Sequence, residues 1–476
     1  MRLRAVYLIA AAVSVVAVLM VAGPAYATSN WSCGEDFATS PAPLDNNLDC
    51  SGYGDDALVV TGNNVTLDLG GHTVTGTSDY DVVDSNGYTN TTVQNGTLAV
   101  GAGGTATVGV GVNLGISVWN TATIANVTIE GGAYGVDAYY IDALTVEGST
   151  ISGSTDYGVY ASGNNVTIED STIAPATGGA EAIKATHGLG DMISGNTITG
   201  NFDGSDAIDG EIGIHLYKDT GALVQDNTVS SMGEWGFYES WSSGTRLSDN
   251  TFDSNYYGVE FYGGIGPNSS NVISGNFIKN SYYEGVYDLQ SDLNSYVGNV
   301  ATNNGIECGT NPTQECAAFF INPADYGSVT MTNNYSRLSS WGFLVENAYD
   351  SDAFASTRTT ISGNSATYDD FGFGDSNSLL ATWTDNTAYG NNDFGYYFEE
   401  PTHETISNNS AFHNGGEGFF FGDNAPPHNP LAVTNNVAEY NGDYGFDASS
   451  PLGASSGNTG NNTNGTDDCW YVAGCS

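Results

Sequence analysis

Five short phrases open successive copies of one pattern: Ala182-Ile183-Lys184, Gly213-Ile214-His215-Leu216-Tyr217, Gly236-Phe237-Tyr238-Glu239, Gly258-Val259-Glu260-Phe261-Tyr262 and Gly285-Val286-Tyr287-Asp288-Leu289. Four of these openings are followed fourteen positions later by an Asn: Ala182 by Asn196, Gly213 by Asn227, Gly236 by Asn250 and Gly285 by Asn299. The Gly258 copy reaches Asn276 only after an inserted Gly263-Gly264-Ile265-Gly266-Pro267. Two landmarks that hold one separation over several copies mark a coil whose turns stack. Where no loop intervenes, copies begin roughly 22–24 residues apart, within the range of β-solenoid turns.

The period dictates the physics. Along Gly258 to Tyr262 the residues alternate, so Val259 and Phe261 are expected to point inward and Glu260 and Tyr262 outward. One turn cannot cover its own apolar face. Turns stacked at about 4.8 Å bury a continuous core and share a backbone ladder. An Asn recurring at a bend is expected to hydrogen-bond to its copies above and below. The Gly before each strand is expected to permit a corner with φ > 0.

The pattern runs outward in both directions. Earlier turns open at Gly111-Val112-Asn113-Leu114, Gly135-Val136-Asp137 and Gly158-Val159-Tyr160, later ones at Ala318, Gly342, Gly372, Gly395, Gly418 and Gly445. The companion Asn keeps pace at Asn364, Asn386, Asn409 and Asn436. No linker or composition break interrupts the series, which predicts one all-β coil over 57–448. Residues 28–56 and 449–476 are expected to close its ends, since an uncovered edge would recruit other chains.

The first 27 residues have the form of a secretory signal: Met1-Arg2-Leu3-Arg4, an apolar run from Ala5 to Ala22, then Ala25-Tyr26-Ala27. No second apolar run of spanning length follows, so a secreted or cell-surface protein with no membrane span after cleavage is expected, as a monomer. The six cysteines fit that setting, and Cys33 with Cys50, Cys308 with Cys316, and Cys469 with Cys475 form the simplest pairing. Fifty-four acidic side chains against eight basic ones give a net charge of −46, a surface that repels nucleic acid and suits high salt. Clustered carboxylates leave Ca²⁺ as a candidate ligand, although no EF-hand loop or Gly-Gly-x-Gly-x-Asp array is present. No cysteine or histidine spacing matches a transition-metal site, and no metal ligands are assigned.

At Leu67-Asp68-Leu69-Gly70-Gly71-His72-Thr73-Val74-Thr75-Gly76, and again at Ile193-Ser194-Gly195-Asn196-Thr197-Ile198-Thr199-Gly200-Asn201, the chain resembles the right-handed parallel β-helix families of pectate-lyase-like shape. The resemblance covers nearly all of the chain after the signal. It implies a single-stranded right-handed parallel β-helix of about a dozen or more turns. For activity it implies little, because lyases, epimerases, glycosidases, copper-accessory proteins and surface proteins share it.

A solenoid turns sequence copies into straight columns. The residue two after each opening gives Asn113, Asp137, Tyr160, Lys184, His215, Tyr238, Glu260, Tyr287, Phe320, Leu344, Gly374, Tyr397, Phe420 and Asp447. Tyr160 to Tyr287 form a polar and aromatic strip about 25 Å long, which suits an extended sugar chain whose pyranose faces stack and whose hydroxyls pair. Tyr217, Tyr262 and Lys218 flank it. After the signal only six cations remain, Lys184, Lys218, Arg246, Lys279, Arg337 and Arg358, and two fall here. The resemblance to β-helix lyases and uronan epimerases implies roles. Lys184 would hold a uronate carboxylate, His215 or Tyr238 would take the C5 proton while the other returns it or protonates the leaving oxygen, and Glu260 would orient a hydroxyl or tune the tyrosine. The sequence lacks the epimerase Asp-Pro-His motif and the Asp cluster that holds catalytic Ca²⁺ in pectate-lyase-like enzymes.

Three functions follow. The first is a secreted polysaccharide-active β-helix, a lyase or C5-epimerase on a uronate-containing polymer. The second is a non-catalytic surface or adhesion rod displaying stacked tyrosines, which also stabilise neighbouring strands. The third, copper delivery, has little support in a chain with five Met. A separate patch, Tyr397, Glu399, Glu400, His403, Phe420 and Asp423, would offer paired carboxylates for glycoside hydrolysis.

Overall fold

The computed structural model describes residues 31–85, 87–101, 110–113, 120–176, 179–204, 210–263, 270–289, 293–308, 316–323, 328–346, 359–376, 378, 380–422, 431–452, 454–461 and 468–475. The signal expected at residues 1–27 lies outside them, as do Leu114, Arg358, Asp423 and most of the loop after Gly263.

Each full turn contributes three strands. In the turn that begins at Ile212 they are Ile212–Tyr217, Leu223–Gln225 and Thr228–Ser230. Each pairs in parallel with its counterpart one turn on: Trp235–Ser240, Arg246–Ser248 and Thr251–Asp253. The longer strands stack into one 18-stranded sheet, and the short ones form two further rows. In the early turns Thr91–Val100 and Thr121–Glu130 serve both short rows at once. The result is an all-β, right-handed parallel β-helix of about 15 turns. The described residues contain no helix. At about 4.8 Å per strand the long sheet measures about 80 Å. Residues 31–56 join the stack, since Glu35–Phe37 pairs with Leu58–Val60 and Leu48–Asp49 with Thr73–Gly76. All three expected disulfides are formed: Cys33–Cys50, Cys308–Cys316 and Cys469–Cys475.

The core is built of columns. One inward column of the long sheet reads Ile183, Ile214, Phe237, Val259, Val286, Phe319, Phe343, Phe373, Tyr396, Phe419 and Phe446, all buried. From Phe343 onward the rings lie nearly parallel, with centroids 4.9, 4.8, 4.4 and 4.8 Å apart. The third row answers in volume. It offers Ile198, Val229, Phe252 and Ile278 in the middle turns, then Ala366, Ala388, Ala411 and Ala438 where the facing column is aromatic. Large against small keeps the interior filled through the later turns.

The Asn column forms the expected ladder. Asn196, Asn227, Asn250, Asn276, Asn299, Asn334, Asn364, Asn386, Asn409, Asn436 and Asn458 link in sequence, each side-chain oxygen accepting from the previous copy's backbone N–H and Nδ2. A second ladder, Asn391 to Asn414 to Asn441, runs at another corner.

One expectation is corrected. The opening glycines do not turn corners: Gly213, Gly236, Gly258 and Gly285 lie outside the left-handed region, which is occupied instead by residues such as Asp226, Asp249 and Lys218. Their requirement is steric. A Cβ on Gly213 would meet the Gly236 carbonyl oxygen at 2.4 Å, and one on Gly258 would meet that of Gly285 at 2.3 Å. The interior is also not wholly apolar. Glu239, Asp288 and Asp375 occupy one inward column with Phe261, Ile321, Val345 and Phe398. Asn271 donates to Glu239 at 2.7 Å, and Asn294 and Tyr296 donate to Asp288. Buried acids are tolerable where such donors meet them.

Candidate functional site

The register places Tyr160 beside Lys184, Lys184 beside His215, His215 beside Tyr238, Tyr238 beside Glu260 and Glu260 beside Tyr287. The column anticipated from the sequence therefore exists in that order. A second column, Thr186, Tyr217, Ser240 and Tyr262, runs alongside. Between them lies a pocket of about 500 Å³ lined by Tyr157, Tyr160, Lys184, His187, His215, Tyr217, Tyr238, Ser240, Trp241 and Tyr262, with Thr186.

Not every anticipated residue faces it. The Glu260 side chain is nearly covered, at 6% exposure, and burial pushes its carboxyl up to about 7. Tyr287 packs against Phe320 with centroids 5.1 Å apart. Phe320 belongs to a separate outer apolar cluster with Ala317, Trp341, Leu344 and Phe371. Lys218 sits exposed at a left-handed corner, its ammonium 4.7 Å from the Tyr217 ring centroid. Of the second patch, Tyr397 and Glu399 line another cavity, of about 530 Å³, floored by Trp341 and Phe371.

The pocket's polar centre is organised by Glu181, which the sequence reading did not single out. Its Oε1 lies 2.9 Å from Lys184 Nζ and its Oε2 lies 2.9 Å from His215 Nδ1. A carboxylate can only accept, so Nδ1 carries a proton, and in the neutral imidazole Nε2 keeps a lone pair. Nε2 in turn lies 3.4 Å from Ser240 Oγ. Burial works against the Lys184 ammonium, yet Glu181 and Tyr157 together outweigh it and raise the lysine pKa above the ordinary value. The ammonium also rests 5.2 Å from the Tyr157 ring centroid. With the imidazole neutral, the Glu181–Lys184–His215 group carries no net charge. Tyr238 stands on the far side of the imidazole, ring centroids 4.9 Å apart, and stacks on Trp235 at 4.5 Å. Burial, with the Glu260 charge, pushes its phenol up to about 12, which keeps it a proton donor.

Among the described residues no group of three or more His, Cys, Asp or Glu is set to hold a metal ion, and no helix is long and apolar enough to cross a membrane. The sequence profile of the right-handed β-helix region matches residues 114–266 and 314–462, more than half of the chain. The chain belongs to the right-handed β-helix family. Comparison with curated sequences yields no match. Among solved structures the chain is similar to the Dettilon tailspike protein, with 15% identity over 72% of this chain and 62% of the other, at a TM-score of 0.35. It therefore spans less than two thirds of that protein's length. It is also similar to an alginate lyase in complex with a trisaccharide, with 15% identity over 78% of this chain and 80% of that one, at 0.34. A double mutant of the periplasmic alginate epimerase AlgG follows, with 12% identity over 83% and 74%, at 0.31. At these identities the likeness concerns the fold.

Proposed function

We propose that this β-helix protein is exported and acts on an extended polysaccharide laid across the pocket, as a lyase or C5-epimerase of uronate units. The observation that carries the reading is the enclosure of one carboxylate-oriented imidazole by the rings of Tyr157, Tyr160, Tyr217, Tyr238, Trp241 and Tyr262. Pyranose faces stack on such rings, and a site that must also break a C–H bond needs a base in their midst. His215 Nε2 supplies the base. Tyr238, kept protonated, supplies the acid that returns a proton to C5 or to the leaving oxygen. The carboxylate-holding role for Lys184 must be reached from its pairing with Glu181.

That pairing supports a second reading, a binding rod that turns nothing over. A panel of polyuronates, scored for unsaturated product absorbance, C5 inversion and retention on the protein, tests both. Turnover that falls in Lys184→Ala and His215→Ala supports catalysis, retention without turnover supports the rod, and neither result in any polymer overturns the reading.

A further inference from the structure

Ser240 is a polar group of the pocket that proton transfer at carbon does not use. Its hydroxyl lines the pocket and lies 3.4 Å from His215 Nε2. With Glu181 accepting from Nδ1–H, the neutral imidazole offers Nε2 as an acceptor for the Ser240 hydroxyl. We infer that Glu181, His215 and Ser240 form a carboxylate–imidazole–hydroxyl relay in which Ser240 is a nucleophile that hydrolyses ester substituents on a sugar chain. Such a constellation is recognised by geometry and roles, not by order in the chain, and here three successive turns each contribute one member.

The chemistry balances with water as the only co-reactant. Ser240 Oγ attacks the acyl carbonyl while its proton passes to His215 Nε2. The tetrahedral intermediate expels the sugar alkoxide, which takes that proton, and leaves acyl-Ser240. Water then attacks the acyl carbon, gives its proton to Nε2, and the carboxylic acid departs as Ser240 recovers its hydrogen. Glu181 stabilises the imidazolium formed in both halves. Tyr238 lines the same pocket as Ser240, and its phenol, kept protonated by burial and the Glu260 charge, would donate to the carbonyl oxygen where charge develops. The surrounding tyrosines and Trp241 would hold the sugar that bears the ester, which makes an O-acylated glycan the substrate class.

The inference goes beyond the proposed uronate chemistry and borrows only its pocket. The test uses the intact chain with a fluorophosphonate probe and p-nitrophenyl acetate. The expected result is mass-spectrometric labelling of Ser240 and ester hydrolysis at least about 10²-fold above Ser240→Ala. If Ser240→Ala fails to fold, Glu181→Gln keeps the serine and is expected to slow labelling at least about 10-fold. No label on Ser240, or equal hydrolysis by wild type and Ser240→Ala, overturns the inference. Polyuronate turnover enters neither readout, so failure of the function proposed above leaves this test intact.

Discussion

Glu181 Oε2 sits 2.9 Å from His215 Nδ1, although the two residues are 34 positions apart in the chain. One turn of the coil closes that gap, and the same carboxylate holds Lys184. The pocket thus has its ion pair and its imidazole tautomer set by a single acidic side chain. Replacing Glu181 by Gln is expected to release the tautomer, giving a mixture of Nδ1–H and Nε2–H forms in ¹⁵N spectra of His215. Any turnover that depends on Nε2 as base should fall by about 10²-fold or more. An unchanged His215 spectrum in Glu181→Gln would contradict the assignment.

The Asn ladder is expected to dominate stability. Removing the Asn299 side chain orphans the buried Asn276 N–H, takes one of two acceptors from Asn276 Nδ2, and takes a donor from the Ile273 carbonyl. Each buried polar group left unpaired costs about 1–3 kcal/mol. Asn299→Ala should therefore lose several times the usual cost of a surface substitution, read as a lower midpoint in urea. A midpoint within error of wild type would show that water replaces the ladder.

Volume matching between columns predicts opposite failures at one level of the rod. Phe373→Ala opens a cavity and should cost about 3–5 kcal/mol. Ala388→Leu, in the facing row, overpacks the same interior and should cost about 1–3 kcal/mol. Combining them should recover part of both losses, which a double-mutant cycle measures. Simple additivity would mean that the two columns do not share space.

How much of this was visible beforehand depends on the backbone at each opening glycine. The order Tyr160, Lys184, His215, Tyr238, Glu260 was legible because every member follows its opening by two residues, and strict alternation holds on that side. On the other side it breaks. Tyr157 precedes Gly158 and pairs with Glu181, yet both it and Tyr160 face outward. Alternation counted back from Val159 would have sent Tyr157 and Glu181 into the core. The column that holds Glu181 was therefore missed, and the signal for it was Tyr134, Tyr157, Glu181, Trp235 and Tyr257 in the position just before their openings, interrupted only by Ile212 in this stretch. Glu239 and Asp288 were legible as positions but not as exceptions, because their partners Asn271, Asn294 and Tyr296 come from other rows.

The pH dependence of stability follows from acids buried in their neutral form. Burial pushes Glu239 and Asp81 up to about 7, and burial with the Asp191 charge pushes Asp219 up to about 8. Carboxyls in the unfolded chain ionise near pH 4, so the stability these groups contribute is complete below about pH 4 and is lost as pH climbs toward about 8. Asp49, held below the ordinary value by hydrogen bonds from Ser51, acts in the opposite sense and weakens the fold as pH drops below about 4. The melting temperature should be higher at about pH 5 than at about pH 8, and Glu239→Gln should reduce the difference. A melting temperature that rises steadily toward pH 8 would contradict the burial of neutral acids.

The most direct test of the pocket's role compares wild type with His215→Ala on the polysaccharide that wild type retains. The account predicts unsaturated or C5-inverted product from wild type and at least about 10²-fold less from His215→Ala, with both proteins melting alike. Equal product from the two proteins would place the chemistry elsewhere on the rod.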